Sequence, residues 1–296
     1  MYVALLPDRG VVKASGADAR TFLHGLVTAD VSKLAPGEAR FAALLTPQGK
    51  IIADFIITEA KAEDGGGFFL DCPHALAPEL AQRLNFYRLR AKVSIEDLSA
   101  SLGVLAAWDG TGTTDCGLIY PDPRLAALGL RCLLPPDIAK DAAAELGATL
   151  ADASAYETHR IALGVPRGGL DFIYGGAFPH ETDMDQLGGV DFAKGCYIGQ
   201  EVVSRVEHRG TARTRIVPIA FDGFAPEAGT PVMAGEKEAG TLGSTAAGRG
   251  LAMLRLDRVE DALAAGAPLI AGGVPIRPMK PSWARFAFPG EAKAAG

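Results

Sequence analysis

The sequence predicts an α+β protein built on an antiparallel sheet, closed off by a small C-terminal antiparallel β-barrel. Three observations carry this. Helix and strand periods alternate from the N-terminus to about residue 163. After Gly210 the helical period gives way to short strands and turns. The 296 residues also exceed one small core, since domains hold roughly 100–200 residues, so two or three lobes are expected.

The elements follow in order. Ser15-Gly16-Ala17-Asp18 has the spacing of a capping box, and a short helix after it is expected to bury Phe22, Leu23 and Leu26. Phe41 to Leu45, a turn at Thr46-Pro47-Gln48-Gly49, and Ile51 to Thr58 read as strand–turn–strand. Phe68-Phe69-Leu70 reads as a strand. Ala75 to Tyr87 carries leucines at 76, 80 and 84, a helical spacing. Lys92–Ile95, Gly103–Ala107 and Arg131–Leu134 read as strands, and Asp137–Leu146 as a helix that Gly147 ends. A further helix runs from Asp152 to Leu163, stopped by Gly164 and Pro166. Pro166 to Gly189 is a long irregular stretch, the kind of segment that often carries function. A helix is expected to about Arg209. In the C-terminal part, Gly272-Gly273 between two apolar runs marks a tight hairpin. The expected division is an α+β region over 1–210 (itself in two lobes, near 40–150 against the rest), a barrel over 211–288, and a disordered tail over 289–296.

Composition narrows the function classes. Hydrophobic residues make up 48% and charged residues 22%, an ordinary globular balance. The formal net charge of -6 argues against a general nucleic-acid binder, whose affinity rests on phosphate neutralisation. The four cysteines form no C-x-x-C pair and the five histidines no metal-binding spacing, so no metal site is expected. Scattered cysteines, an N-terminus without a signal-peptide pattern and no long apolar run lead to an expectation of a cytoplasmic protein with no membrane contact.

One octapeptide stands out: Lys194-Gly195-Cys196-Tyr197-Ile198-Gly199-Gln200-Glu201. Helical signals start at Gln200, so Cys196 is placed just ahead of a helix N-terminus, where free N–H groups stabilise a thiolate. Lys194 adds a cation nearby, and Gly195 and Gly199 allow a tight turn. The alternative reading is a small buried hydrophobe.

This octapeptide resembles the K-G-C-[FY]-x-G-Q-E signature of the YgfZ family of folate-binding proteins, relatives of the glycine-cleavage aminomethyltransferase and of mitochondrial iron–sulfur assembly factors. Phe22-Leu23-His24-Gly25-Leu26-Val27-Thr28-Ala29-Asp30-Val31 and Leu45-Thr46-Pro47-Gln48-Gly49-Lys50 resemble its earlier segments, as do Tyr87 to Val93, Arg160 to Pro166 and Phe178-Pro179-His180-Glu181. The resemblance implies a multi-lobed aminomethyltransferase-like fold around a folate cavity, with a C-terminal β-barrel. It implies tetrahydrofolate or a one-carbon derivative as cofactor. It also implies a role in making or repairing iron–sulfur enzymes, including those that methylthiolate tRNA. Partners would be iron–sulfur proteins or their assembly machinery, with an indirect link to tRNA. Cys196 becomes the functional thiol, with Lys194, Tyr197, Gln200 and Glu201 beside it. Thr28, Asp30, Asp54, Arg160 and Glu181 become candidate folate contacts.

Two features qualify that picture. Aminomethyltransferases carry adjacent acids in the segment where this chain has Ala53-Asp54. A cationic methylene-amine intermediate gains from a well-placed carboxylate, and one of the two is missing. Asp54 itself, on an apolar strand, needs a partner: a ligand group, an internal cation or a backbone amide. Arg205, Arg209, Arg213 and Arg215 form a basic run, which reads either as a solvated helix end or as a local anion or partner site.

Overall fold

A computed structural model describes residues 1–210 and 212–290. The elements are β1 (Tyr2–Leu5), β2 (Arg9–Ser15), α1 (Ala19–His24), β3 (Ala39–Leu45), β4 (Ile51–Glu59), β5 (Phe68–Pro73), α2 (Ala77–Arg88), β6 (Ser94–Asp97), β7 (Gly103–Trp108), β8 (Leu118–Pro121), β9 (Leu130–Leu134), α3 (Ala139–Glu145), β10 (Thr149–Leu150) and α4 (Ala153–Leu163). After the irregular stretch come α5 (Gln200–Arg209), β11 (Thr214–Phe221), β12 (Pro231–Ala234), β13 (Lys237–Ala246), β14 (Arg249–Arg255), α6 (Leu256–Ala264), β15 (Leu269–Ala271) and β16 (Val274–Pro278). By internal contacts the chain divides into two units, Met1–Tyr156 with Leu187–Gln200, and Glu157–Gln186 with Glu201–Gly296.

The first unit holds two five-stranded sheets, ordered β3-β4-β5-β2-β6 and β10-β1-β7-β9-β8. All pairings are antiparallel except β1 with β10. The alternation in β4 decides its orientation. Ala53, Phe55 and Ile57 enter a core with Val12, Leu23 and Leu70, which sends Asp54 to the other face. Leu80 and Leu84 of α2 close the same core at helical spacing.

The expected capping box does not form. Asp18 sits at the N-cap of α1 without a side-chain cap bond. Its Oδ2 accepts from the Lys92 amide at 2.7 Å, so the carboxylate is spent on a distant chain segment. Of the three side chains expected inside, Leu23 is buried, while Phe22 and Leu26 are half-buried.

A buried ion network crosses this unit. Asp71 accepts from Arg9 Nε and from Arg131 Nη1, both at 2.6 Å. Arg131 Nε donates to Asp122 at 2.9 Å, and Arg124 chelates the same carboxylate. Every charge in this network has an opposite neighbour, the condition under which buried charges are tolerated.

In the second unit, β11-β14-β13-β12-β15-β16 form a closed barrel, with β16 pairing back to β11. Closure leaves no free edge. Val217, Ile219, Leu242, Leu254 and Ile276 fill it, and Val259 of α6 packs into the same core. The hairpin at Gly272-Gly273 joins β15 to β16 with φ of 54° and 83°, a conformation that glycine adopts at little steric cost. Pro289 and Gly290 form a turn, while residues 291–296 of the expected tail lie outside the described residues.

Candidate functional site around Cys196

The site is built from three segments of the first unit: the end of α1 with residues 24–31, the turn between β3 and β4, and the stretch leading to α5. Lys194 ties two of them together. Its ammonium donates to the carbonyls of His24, Val27 and Ala29 at 2.7, 2.6 and 2.9 Å. Burial draws it down to about 8, with Asp30 and Asp191 pulling the other way. The lysine is thus committed to fixing the backbone around residues 24–29.

Gly199 ties in the third segment. At φ 81° it lies so close to the β3–β4 turn that an added Cβ would sit 2.6 Å from the Thr46 carbonyl oxygen and 3.1 Å from Gly49 Cα. Gly195 is different, with nothing within 4 Å of its would-be Cβ. The two sequence segments around Thr46 and Cys196 are therefore in contact, which their separation in the chain does not reveal.

Cys196 stands between these anchors. Of the four cysteines it is the exposed one. Burial pushes Cys72 and Cys132 each up to about 12, which leaves them unreactive. Helix α5 begins at Gln200, so the thiol lies a turn ahead of the helix rather than at its first residues. The dipole effect fades within one turn, so exposure on a fixed backbone, and not the helix, is what makes this thiol available. Tyr197 turns inward. It is 7% exposed, its ring lies 5.2 Å from the Lys194 ammonium, and burial raises its phenol to about 12. Among the described residues its hydroxyl has no hydrogen-bond partner. Gln200 reaches back to the Gly195 carbonyl at 3.5 Å, and exposed Glu201 pairs with Arg205 at 2.6 Å.

The candidate folate contacts fall into distinct environments. Thr28 is fully buried, donating to the Gly189 carbonyl at 2.6 Å and accepting from the Ala43 amide at 2.8 Å. Arg160 is 1% exposed and saturated: it meets Glu157 through two nitrogens and also binds Val165 O, Asp171 and Ser244. Both hold the fold. Asp30 is half-exposed. The Ser32 hydrogen bond, helped by His24 and Lys194, holds its carboxyl below the usual range. It lines an open hollow of about 570 Å³ with Lys33, Arg40, Asp191 and Phe192. Asp54 is buried opposite Ala43. Burial opposes the charge on Arg9, but the Asp71 carboxylate, with Asp54 behind it, overcomes this and raises the Arg9 pKa. That geometry supports the internal-cation reading of Asp54. Glu181 accepts from the Phe178 amide at 2.8 Å in the second unit.

The basic run does not survive as one patch. Arg215 turns into the interior and chelates Asp185, with its Nη1 also donating to the His180 carbonyl. Arg205 is neutralised by Glu201. Arg209 and Arg213 are exposed. The structure also gathers a group that no local spacing signalled. His180, Asp185 and Glu207 bring ligand atoms within 4.8 Å of one another, with His180 Nε2 3.0 Å from Glu207 Oε2. Residues 180 and 185 come from the irregular stretch and 207 from α5, so only folding joins them.

Known proteins resemble this chain along most of its length. The GCVT N-terminal domain profile matches residues 9–108, and the profile of the CAF17 C-terminal beta-barrel domain matches residues 213–286. A curated protein of Homo sapiens, "Iron-sulfur cluster assembly factor IBA57, mitochondrial", is 30% identical over 87% of this chain and 78% of its own length. A homolog from Mycosarcoma maydis is 37% identical over 74% of this chain and 57% of its own length. The chain thus spans little more than half of the fungal relatives it matches. The crystal structure of the glycine cleavage system aminomethyltransferase T from Bartonella henselae superposes with a TM-score of 0.70, at 14% identity, over 97% of this chain and 87% of that one. The chain therefore has the aminomethyltransferase-like fold, with the closed antiparallel barrel at its C-terminal end.

One expectation is overturned here. The relatives are named as mitochondrial proteins, so the cytoplasmic assignment drawn from the sequence does not stand. Scattered thiols and the lack of an apolar run describe any reducing aqueous compartment equally well, so they carry no power to choose among them.

Proposed function

Because the chain belongs to the family of IBA57 iron–sulfur cluster assembly factors, we propose that it acts in iron–sulfur cluster assembly with Cys196 as its working thiol. The observation that carries this reading is the exposed Cys196 thiol on a backbone pinned by Lys194 on one side and by Gly199 on the other. An accessible thiolate is a ligand for iron–sulfur clusters and an acceptor of sulfur. A pinned backbone presents it in one position to a partner. The partners in this reading are iron–sulfur proteins or their assembly machinery, with tRNA-methylthiolating enzymes among the recipients. Tyr197, Gln200 and Glu201 shape the segment around the thiol.

Tetrahydrofolate is the cofactor of this reading, shared with the YgfZ proteins. When bound, it supplies one-carbon transfer and a redox-active pteridine. The residues fit it in part. Arg160 has no donor left to offer a ligand, and Thr28 is fully buried with its hydroxyl proton given to Gly189. Asp30 offers an open carboxylate, the partner a pterin's donor edge needs, with Lys33 and Arg40 lining the same hollow to meet an anionic tail. Neither Asp54 nor Glu181 lines that hollow. Residues 1–210 would carry the folate and 211–288 form a separate barrel domain.

The test has two separate arms. In cells lacking the native chain, Cys196→Ser should abolish rescue of iron–sulfur enzymes, a methylthiolating enzyme among them, while far-ultraviolet circular dichroism stays unchanged. Full rescue by that variant refutes the thiol role. Calorimetric titration of the wild type with tetrahydrofolate should show saturable binding that Asp30→Asn weakens. Absence of binding refutes the cofactor and leaves the thiol arm standing.

A further inference from the structure

Helix α2 ends in a feature that the site around Cys196 does not use. Its apolar face is spent on the core through Leu80 and Leu84, yet Phe86 is 78% exposed and the next apolar tip, Leu89, is 88% exposed. Leu89 has φ 45° and ψ -105°, a backbone conformation that costs any residue with a Cβ. In the isolated chain this leucine gains nothing: it bears the strain and faces water.

The tip is nevertheless rigid. Ala91 N donates to Arg88 O at 2.8 Å, and Arg88 Nη1 donates to Val93 O at 3.2 Å. The amide of Lys92 binds Asp18 Oδ2, and the amide of Asp18 returns to Lys92 O. Tyr87 and Ala91 pack against the core beneath, and the Phe86 ring stands edge-on to Tyr87 at 5.8 Å. A strained, apolar, pre-organised tip is the construction of a binding anchor, because ordering is already in place before contact.

Its rim is basic. Arg88, Arg90 and Lys92 are all exposed within five residues, whereas the whole chain carries -6. One acid, Asp18, adjoins them through the Lys92 amide, so the three cations keep the rim positive, and Arg83 further up α2 is already paired with Glu79. We propose that the Phe86–Lys92 tip is a docking surface for another protein that presents an apolar pocket rimmed with carboxylates. An apolar centre with an arginine-rich rim is the anatomy of an interface hot spot. The apolar part is two side chains wide, too small for a membrane-lying helix face. The -6 net charge disfavours a nucleic-acid backbone as the occupant. This proposal stands independently of the role given to Cys196.

The experiment places a photo-reactive phenylalanine analogue at position 86 or 89 of the full chain in its native cells. Irradiation is followed by mass-spectrometric identification of the cross-linked segment. The expected result is one protein adduct whose cross-linked segment carries Asp or Glu beside apolar residues. Its yield should fall about tenfold with Arg90→Glu plus Lys92→Glu and recover when the partner's acids are changed to Arg. Leu89→Gly should raise thermal stability and lower the yield when the probe is at 86, which separates anchoring from folding. No adduct, an adduct to RNA or lipid, or a yield indifferent to charge reversal overturns the proposal.

Discussion

Gly195 and Gly199, which flank Cys196-Tyr197-Ile198, make a matched test of how the thiol segment is held. Gly199→Ala forces a Cβ to within 2.6 Å of the Thr46 carbonyl oxygen and 3.1 Å of both Gly49 Cα and Leu45 Cβ. The first of these neighbours is backbone and cannot swing away. The residue also keeps φ 81°, where a Cβ costs about 1–2 kcal/mol. Overpacking adds about 1–3 kcal/mol. The sum is about 2–5 kcal/mol, or a fall in Tm of roughly 5–15 °C for a unit of this size. Gly195→Ala meets no atom within 4 Å and should stay within about 0.5 kcal/mol of the wild type. Equilibrium urea unfolding of both variants measures the stabilities. The alkylation rate of Cys196 under native conditions reads whether the segment has shifted, and it should change in Gly199→Ala alone. Equal stability of the two variants would refute the claim that Gly199 clamps the segment to the β3–β4 turn.

Other expectations concern the buried polar groups. Lys194→Met leaves the His24, Val27 and Ala29 carbonyls without their donor, at a cost of about 2–4 kcal/mol near neutral pH, measurable by urea unfolding. Burial lowers the Lys194 pKa from 10.5 to about 8 in the folded chain, so between those values the unfolded chain binds the extra proton. Wild-type stability relative to Lys194→Met should therefore rise from about pH 8 to pH 10.5, and a flat difference across that window would contradict the burial of the ammonium. Thr28→Val and Arg160→Met should each unfold earlier in urea, Arg160→Met by about 3–5 kcal/mol because it strands Asp171. If the folate affinity of the folded Thr28→Val protein drops while its stability is unchanged, Thr28 is a ligand contact and not the brace between Ala43 and Gly189.

Much of this protein could be read from residue order. The alternation in Ile51–Ile57, the leucines at 80 and 84, the turn at Thr46–Gly49 and the Gly272-Gly273 hairpin are local signals, and each appears as read. The octapeptide around Cys196 was also visible, because its residue types at fixed spacing are a property of the chain itself. Local reasoning failed where a side chain had a distant alternative. Asp18 had the spacing of a cap partner but binds Lys92, seventy-four residues away. Lys194 lay two residues from the thiol and yet serves carbonyls some 165–170 positions earlier. Arg215 belonged to a basic run in sequence and to Asp185 in space.

The octapeptide thus set where the thiol lies, and the fold decided what its neighbours do. Whether a polar side chain serves its own segment or another depends on which acceptors packing brings within about 3 Å, and on the cost of leaving a buried group unpaired. That cost is paid over the whole tertiary structure. It makes Lys194, Thr28 and Arg160 parts of the frame, and it leaves the Cys196 thiol exposed.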